Sequence, residues 1–205
     1  MARSTNGADQ PAEPGWALTR LIKIHDGMRD DLALLRRAVQ AIAEDDRGMA
    51  TAMLGSVSFR EPGWSLRVYC AHFCRFVQDH HSVEDTMLFP VLLRDQLATN
   101  PGFAKVIELL AADHRALTGY LDNVERALRA APDDENAGAA ALGAIERLSD
   151  HLETHLAFEE ETLAPALNAL SAVVSEDDFD VPDDAAVIAE DDDVLMTWDD
   201  DAPGR

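Results

Sequence analysis

Four stretches of the chain carry apolar residues at alternating intervals of three and four positions. They cover residues 16–44, 64–90, 103–128 and 145–162. This spacing places the apolar side chains on one face of an α-helix, and that face has to be buried against other helices. Short links between the stretches favour antiparallel neighbours. The pattern therefore predicts an all-α protein that folds as an up-down-up-down four-helix bundle.

The first and third helices each have one histidine in the apolar stripe. His25 and His114 occupy positions at which the spacing requires an apolar residue, so both should point into the bundle. A single buried histidine is most often structural, with its ring hydrogen-bonded to a backbone carbonyl. That explanation weakens here because the second and fourth helices carry inward histidines as well.

A short motif occurs once on the second helix and once on the fourth. His80 with Glu84, and His155 with Glu159, read His-x-x-x-Glu, and an acidic residue follows each glutamate. Residues four apart lie one turn apart on the same helix face. Each copy therefore presents an imidazole beside a carboxylate. Together with the lone histidines, the motif makes the chain an internal duplication whose halves can meet at one site.

These inward side chains are the ligands that a metal site needs. A buried carboxylate without a partner is costly, so two of them beside four imidazoles make sense when cations hold the site together. Four nitrogens and two bridging carboxylates suit two first-row ions, iron before manganese. A structural zinc site would use four ligands on one ion. The Glu-x-x-His spacing of ferritin-like bundles and the His-Glu-x-x-His spacing of zinc proteases do not occur at these sites.

The order of these motifs on four helices resembles that of the hemerythrin-like (HHE cation-binding) domain, bacterial type. The resemblance covers about residues 16–170. It implies a di-iron centre in which an oxo or hydroxo group and two glutamates, Glu84 and Glu159, bridge the ions. The ligands that it implies are His25, His80, Glu84, His114, His155 and Glu159.

Two positions differ from the invertebrate oxygen carriers of that family. Those proteins have His-x-x-x-His on the third helix, where Thr118 follows His114 here. They have His-x-x-x-x-Asp on the fourth helix, where this chain has His155-x-x-x-Glu159. The differences speak against reversible oxygen carriage and favour the bacterial-type members.

The sequence leaves one further ligand, His81, open. In the resembled family this position can bind metal, but His81 lies about 100° around the helix from His80. His72 is predicted not to bind, and His151 is expected to lie behind His155 or on the surface. Four acids beside the ligands can orient imidazoles by accepting hydrogen bonds from them. They are Asp26, Asp85, Asp113 and Glu160.

Charge is the main constraint on partners. The net charge of −22 speaks against nucleic acid, because phosphate binding requires a cationic surface. Residues 172–205 hold 13 acidic residues and one basic residue, and this tail is predicted to be disordered. Residues 1–13 are also predicted to be disordered, which leaves 14–171 for the bundle. The segment 194–198 is a candidate docking motif for a protein partner, although an unstructured tail is the simpler expectation.

Compartment and helix ends follow from a few residues. The chain shows no signal segment and no apolar run long enough to cross a membrane, so a cytoplasmic location is expected. Cys70 and Cys74 are predicted to be small core residues. Pro90 should kink or end the second helix, and the fourth helix should weaken past Pro165.

The favoured function is that of a non-haem di-iron protein that binds or reduces O₂, peroxide or nitric oxide, with peroxide handling in oxidative stress first. The sequence does not decide whether the protein is an enzyme. If it is, we expect a catalase-like enzyme that decomposes peroxide, or an oxidoreductase that acts on nitric oxide or oxygen. No catalytic residue beyond the metal ligands and no organic cofactor site is predicted. The alternative is a redox- or iron-responsive sensor that signals through the acidic tail, and iron storage is a weaker third option.

Apolar side chains around the ligands are expected to restrict the site to small uncharged molecules and to keep water out. The predicted wall consists of Met28, Phe76, Val83, Met87, Leu117 and Phe158.

Overall fold

The structure is a computed structural model that describes residues 13–44, 49, 62–96, 100–130 and 137–176. These residues form helices and no strand. A π-helical turn, Glu84–Leu88, joins the second and third α-helices into one continuous rod, so the architecture has four rods, as the sequence predicts. The α-helices are α1 Trp16–Ala43, α2 Pro62–Val83, α3 Phe89–Gln96, α4 Phe103–Arg129 and α5 Ala137–Ser171.

The core has two apolar parts, one toward each end of the bundle. The large cluster consists of buried residues within 28–39, 70–77, 117–128 and 141–156. The small cluster consists of buried residues within 17–21, 89–92, 103–110 and 163–170.

The order in which each rod passes the two clusters shows its direction in the bundle. Along α1 and α4 the chain runs from the small cluster to the large one, and along α2–α3 and α5 it runs back. Successive rods are therefore antiparallel, which confirms the predicted bundle. The helices α1 and α4 each pack against both α2 and α5, so each lone-histidine helix touches both helices that carry the repeated motif.

Both prolines lie inside continuous helical rods, so of the two expectations for Pro90, a kink or a helix end, the helix end is wrong. The rod that contains Pro90 runs on to Gln96, and α5 runs through Pro165 to Ser171. Ahead of Pro90 the N–H of Phe89 donates to the carbonyl of Glu84, five residues back, in the π-helical turn. The second copy has its proline at the same place and remains α-helical, so proline alone does not produce the π-helical turn.

The two ends of the bundle domain are bonded to each other. The first N–H groups of a helix have no partner within it, and at α1 the end of α5 supplies one: the N–H of Ala17 donates to Ser171 Oγ at 3.0 Å. The indole N–H of Trp16 donates to the carbonyl of Val174 at 2.9 Å. The chain thus folds back on the bundle just after α5. The predictions for residues 1–12 and for the tail from 177 onward lie outside the described residues.

Candidate metal centre

All six predicted ligands lie in one layer between the large and small clusters. Their side chains are between 0 and 8 % exposed, and each of the four rods contributes at least one of them. The layer exists because the apolar stripe of every helix is interrupted at the same height. The side chains brought together are His25, His80, Glu84, His114, His155 and Glu159, with His81 as a seventh.

The seven side chains form two groups of potential ligands. Within each group the donor atoms lie within 4.8 Å of one another. The mixed cluster consists of His25, His80, Glu84 and Glu159. The histidine cluster consists of His81, His114 and His155.

Glu84 reaches toward both clusters with its two oxygens. Its Oε1 lies 3.0 Å from His80 Nε2 in the mixed cluster, although the two atoms do not form a hydrogen bond. Its Oε2 lies 3.7 Å from His114 Nε2 in the histidine cluster. A carboxylate in this orientation can donate one oxygen to each of two neighbouring metal ions.

Glu159 also lies between the clusters, through a single oxygen. Its Oε2 is 3.6 Å from His25 Nε2 and 3.6 Å from His155 Nε2. The lone histidine of α1 and the motif histidine of α5 therefore face the same carboxylate oxygen. In the mixed cluster His25 Nε2 also lies 3.2 Å from His80 Nε2, so donor atoms converge on one point from three rods.

His81 is buried in the layer, which the sequence left open. Its ring stacks on His114, with 4.1 Å between ring centroids and 7° between ring planes. It meets His155 edge-on, with 5.1 Å between centroids. The rotation of α2 therefore directs both His80 and His81 inward, one to each cluster. The other half has Leu156 at the corresponding position.

Three histidines are held from behind by acids that flank ligands in the sequence. Since a carboxylate can only accept, the Nδ1–H of each ring donates. Asp26, the fourth acid considered, is exposed and instead accepts from Arg29 at 3.0 Å. The three pairs are His25–Glu160 at 2.8 Å, His114–Asp85 at 3.0 Å and His155–Asp113 at 3.0 Å.

Asp113 holds a second histidine as well. Its other carboxylate oxygen lies 2.8 Å from Nε2 of His151, one turn before His155. The ring of His151 stacks on Tyr120, with 4.8 Å between centroids. His151 therefore lies behind the ligand layer, where it helps to fix the acid that orients His155.

Burial lowers the pKa of four histidines of the layer and so favours their neutral form; they are His25, His81, His114 and His155. It lowers the pKa of His25 to about 2, with His80 as the next cause. It lowers the pKa of His155 to about 4, with His114 adding to the effect. The pKa of His81 is lowered for the same reason. Neutral imidazole is the form that binds a metal ion.

The carboxyl groups show the opposite shift from the same cause. Burial raises the pKa of Glu84 and of Glu159 well above the ordinary value, and for Glu159 the nearby Glu84 adds to the rise. The ionised forms of these two carboxyl groups are unfavourable in the buried layer, and bound cations would stabilise them. The residues of the layer thus fit a metal group in charge as well as in position.

Unpartnered donor atoms provide the clearest test of fit. Buried polar atoms are normally hydrogen-bonded, and each exception requires an explanation. Within the described residues, the buried side-chain atoms that lack a hydrogen-bond partner all belong to this layer. They are His81 Nε2, His114 Nε2, His155 Nε2 and both carboxylate oxygens of Glu84 and of Glu159.

The apolar surroundings match the predicted wall only in part. Met28 and Leu117 are fully buried beside the layer, as expected. Met87 and Phe158 are 46 and 40 % exposed, so they do not close the site, and that part of the prediction is wrong. Phe89, which was not predicted, does contact the layer: its ring stacks on His114 with 5.5 Å between centroids.

A helical bundle with a buried layer of imidazoles and carboxylates is the architecture of a metal-binding domain. The sequence matches the family model of the hemerythrin HHE cation binding domain over residues 17–167. This match covers most of the chain, so the protein belongs to that family and has a metal cofactor. No curated protein and no solved structure matched the chain. Within the described part of the chain, no helix has the length and apolar character needed to cross a membrane.

Proposed function

We propose that the protein holds two iron ions between the mixed cluster and the histidine cluster, and that it binds or reduces a small oxidant there. The observation that carries the proposal is the set of buried, unpartnered donor atoms that converge in one layer. Hydrogen bonds within the protein do not account for them. Metal coordination does, because each of these atoms is a nitrogen or oxygen ligand.

Two ions are favoured over one by the number and grouping of the donors. Seven side chains in two groups exceed the four ligands of a single tetrahedral zinc ion. Glu84 and Glu159 each reach donors of both groups, as bridging carboxylates would. The mixture of imidazole and carboxylate suits iron, with manganese as the less favoured choice.

The two clusters offer different numbers of ligands. With both glutamates shared, the histidine cluster supplies three imidazoles and the mixed cluster two. An open position for a small molecule is therefore expected beside the mixed cluster. Bound iron supplies a reversible change between the ferrous and ferric states at that position.

The apolar side chains beside the layer determine which molecules can reach the iron. Met28, Leu117 and Phe89 exclude water and large or charged molecules from the layer. Dioxygen, peroxide and nitric oxide are small enough to enter. Peroxide decomposition to water and dioxygen is the favoured reaction, because one peroxide molecule serves as oxidant and a second as reductant, so no further electron donor is required.

Elemental analysis of the purified protein, with visible spectra before and after peroxide addition, tests the proposal. We expect two irons per chain and near-ultraviolet bands that respond to peroxide, followed by measurable peroxide consumption. One zinc per chain, or no metal after iron reconstitution, would overturn it.

Two variants extend this test to the ligand assignment. Glu84→Ala and Glu159→Ala should abolish the absorption of the bridged pair. Glu161→Ala, an exposed neighbour, is the matched control and should keep it. A Glu84 or Glu159 variant with unchanged iron and colour would contradict the assignment.

A sensor that signals through the acidic tail is the second candidate. The hydrogen bond between Trp16 and Val174 favours it, because it joins the start of α1 to the first residues of the acidic tail. A movement of His25 on oxidation or metal loss would be passed along α1 to the start of the tail. A partner protein would bind the tail itself. Limited proteolysis with and without iron and oxidant tests this role; an identical cleavage pattern in all conditions would exclude it.

We also propose a cytoplasmic location. Cys70 and Cys74 are buried free thiols with sulfur atoms 3.6 Å apart, and free thiols are typical of a reducing compartment. Fractionation of cells that express the protein would check the assignment, and recovery outside the cytoplasm would contradict it.

A further inference from the structure

The acid that follows the glutamate in each motif copy acts on the opposite half of the chain. Asp85, beside Glu84, accepts from Nδ1 of His114 on α4 at 3.0 Å. Glu160, beside Glu159, accepts from Nδ1 of His25 on α1 at 2.8 Å. Neither contact is to the histidine of the acid's own motif, so the two hydrogen bonds cross between the halves.

We propose that Asp85 and Glu160 are a crossed pair of positioning residues, each of which prepares the lone histidine of the opposite half for metal binding. The proposal rests on the proposed function, since it assigns these acids a role toward the same iron ions. An acceptor at Nδ1 keeps the proton on that nitrogen and leaves the lone pair of Nε2 facing the metal layer. It also fixes the orientation of the ring.

The metal-facing side of His114 agrees with this role. Its Nε2 is among the buried donor atoms that have no hydrogen-bond partner, whereas its Nδ1 is bonded to Asp85. The acid therefore occupies one nitrogen and leaves the other for a metal ion. His25 also has Nδ1 on Glu160, but its Nε2 has neighbours in the layer: His80 Nε2 lies at 3.2 Å and Glu159 Oε2 at 3.6 Å.

The crossed contacts make the two halves depend on each other. Each half supplies a motif glutamate, but the acid beside that glutamate completes a histidine of the other half. Glu160 is itself held in place, because Arg29 contacts its Oε1 at 2.8 Å and so joins α1 to α5 a second time. The duplicated chain therefore forms one interlocked site rather than two independent ones.

Histidine ring tautomers in the metal-free protein provide a direct test. Nitrogen-15 NMR of the wild-type rings should show Nδ1–H for both His25 and His114. Asp85→Ala should disturb His114 and leave His25 unchanged, and Glu160→Ala should do the reverse. If each acid served its own motif, Asp85→Ala would disturb His80 instead, and that result would overturn the proposal.

Iron(II) affinity, measured by competition with a chelator, is the second readout. The alanine variants should bind iron roughly 10–100-fold more weakly, as expected when the partner of a metal-bound histidine is lost. Asp85→Glu and Glu160→Asp keep the charge and should recover most of the affinity. Glu161→Ala is the matched control and should bind like the wild type. If an alanine variant fails to fold, Asp85→Asn and Glu160→Gln replace it, and they should show a smaller loss.

The outcomes separate the two proposals. Wild-type protein with two irons, together with alanine variants that match Glu161→Ala in tautomer and affinity, would overturn the crossed pair and leave the proposed function intact. Wild-type protein that takes up no iron would overturn the proposed function and the role of these acids with it. Variant-specific loss with recovery by the charge-keeping changes would support both.

Discussion

At the scale of single residues, three histidines of the layer have one ring nitrogen bonded to an acid of the protein and the other directed into the layer. These histidines are His25, His114 and His155, and in each of them Nδ1 donates to the acid while Nε2 faces the layer. The carboxylates of Glu84 and Glu159 have no hydrogen-bond partner in the described residues at either oxygen. Such an arrangement is costly without cations, because buried polar groups lose their hydration without compensation. Bound cations would compensate this cost.

Proton release on metal binding is expected from the raised pKa values of Glu84 and Glu159. Glu84 and Glu159 hold their protons to higher pH than exposed carboxyls, because burial raises their pKa. Near neutral pH, His25 and His155 are already unprotonated. Since bound carboxylates must be ionised, iron(II) uptake should release carboxyl protons, and its apparent affinity should rise with pH. Calorimetry in two buffers of different ionisation enthalpy measures the release; an affinity that is constant across the neutral range would show that the carboxyls were already ionised.

A second prediction concerns His81, which the other half replaces with Leu156. His81→Leu removes one imidazole from the histidine cluster but keeps an apolar side chain at a buried position. Iron content should fall from two toward one per chain. The loss of affinity should exceed the roughly 10–100-fold that removal of a hydrogen-bond partner behind a ligand costs.

The control for that change is His72→Leu. His72 lies two turns before His80 and belongs to neither cluster of the described residues. This variant should keep two irons. Two irons in His81→Leu, measured under the same conditions, would mean that His81 is a neighbour of the metals and not a ligand.

The ligand layer could largely be predicted from the sequence, because the spacing of three and four fixes which side chains face inward. His25 and His114 interrupt apolar stripes, and that signal suffices to place them. His81 could not be decided in this way, because its direction depends on the rotation of α2 by a fraction of a turn. The crossed contacts of Asp85 and Glu160 depend on which helices are neighbours, and spacing within one helix does not report that.

At the scale of elements, the π-helical turn changes which face of α3 enters the core. It adds one residue to a helical turn and so shifts the following residues around the axis. Phe89 and Leu92 are buried, whereas Leu88 is only half-buried. In the second copy, which stays α-helical, the residue equivalent to Leu88 is Leu163, and it is fully buried. The shift brings the ring of Phe89 against His114.

Because of the π-helical turn, truncation of Phe89 should destabilise the protein more than truncation of Leu88. An unbroken α-helix would predict the opposite order. Phe89→Ala should lower the free energy of unfolding by about 3–5 kcal/mol, the usual cost of truncating a buried phenylalanine. Leu88→Ala should cost less than half as much, because its side chain stays partly in solvent. Denaturant unfolding of the iron-loaded variants measures both. A larger loss for Leu88→Ala would indicate that the rod is α-helical at this point.

Sequence patterns did not indicate this turn. Both copies have a proline ten residues after the motif histidine, and both prolines lie inside a helix. The sequence predicts that Pro90 kinks or ends its helix and that the fourth helix weakens past Pro165, because proline lacks an N–H and its ring clashes with the preceding turn. Packing of Phe89 and Leu92 on one side, and of Leu163 and Leu167 on the other, outweighs that local cost.

At the scale of the whole molecule, the layer of histidines and glutamates lies between the large and the small apolar clusters. Every rod crosses the layer and contributes at least one potential metal ligand to it. The buried side-chain atoms that lack a hydrogen-bond partner in the described residues all lie in this layer, in the middle of the core. Two metal ions would join all four rods at this height, and their contribution should extend to the whole bundle.

Metal removal should accordingly destabilise the protein globally. A ligand that binds only the folded state, at a free concentration a hundredfold above its dissociation constant, raises the free energy of unfolding by about 2.7 kcal/mol per site. Chelation should reverse this gain and lower amide hydrogen-exchange protection along both apolar clusters. Thermal unfolding of metal-free, iron-loaded and Glu84→Ala protein measures the effect, and the variant should gain far less from iron than the wild type. An equal gain in the variant would locate the stabilising iron outside the layer, and loss of protection confined to the ligand turns would contradict a global role.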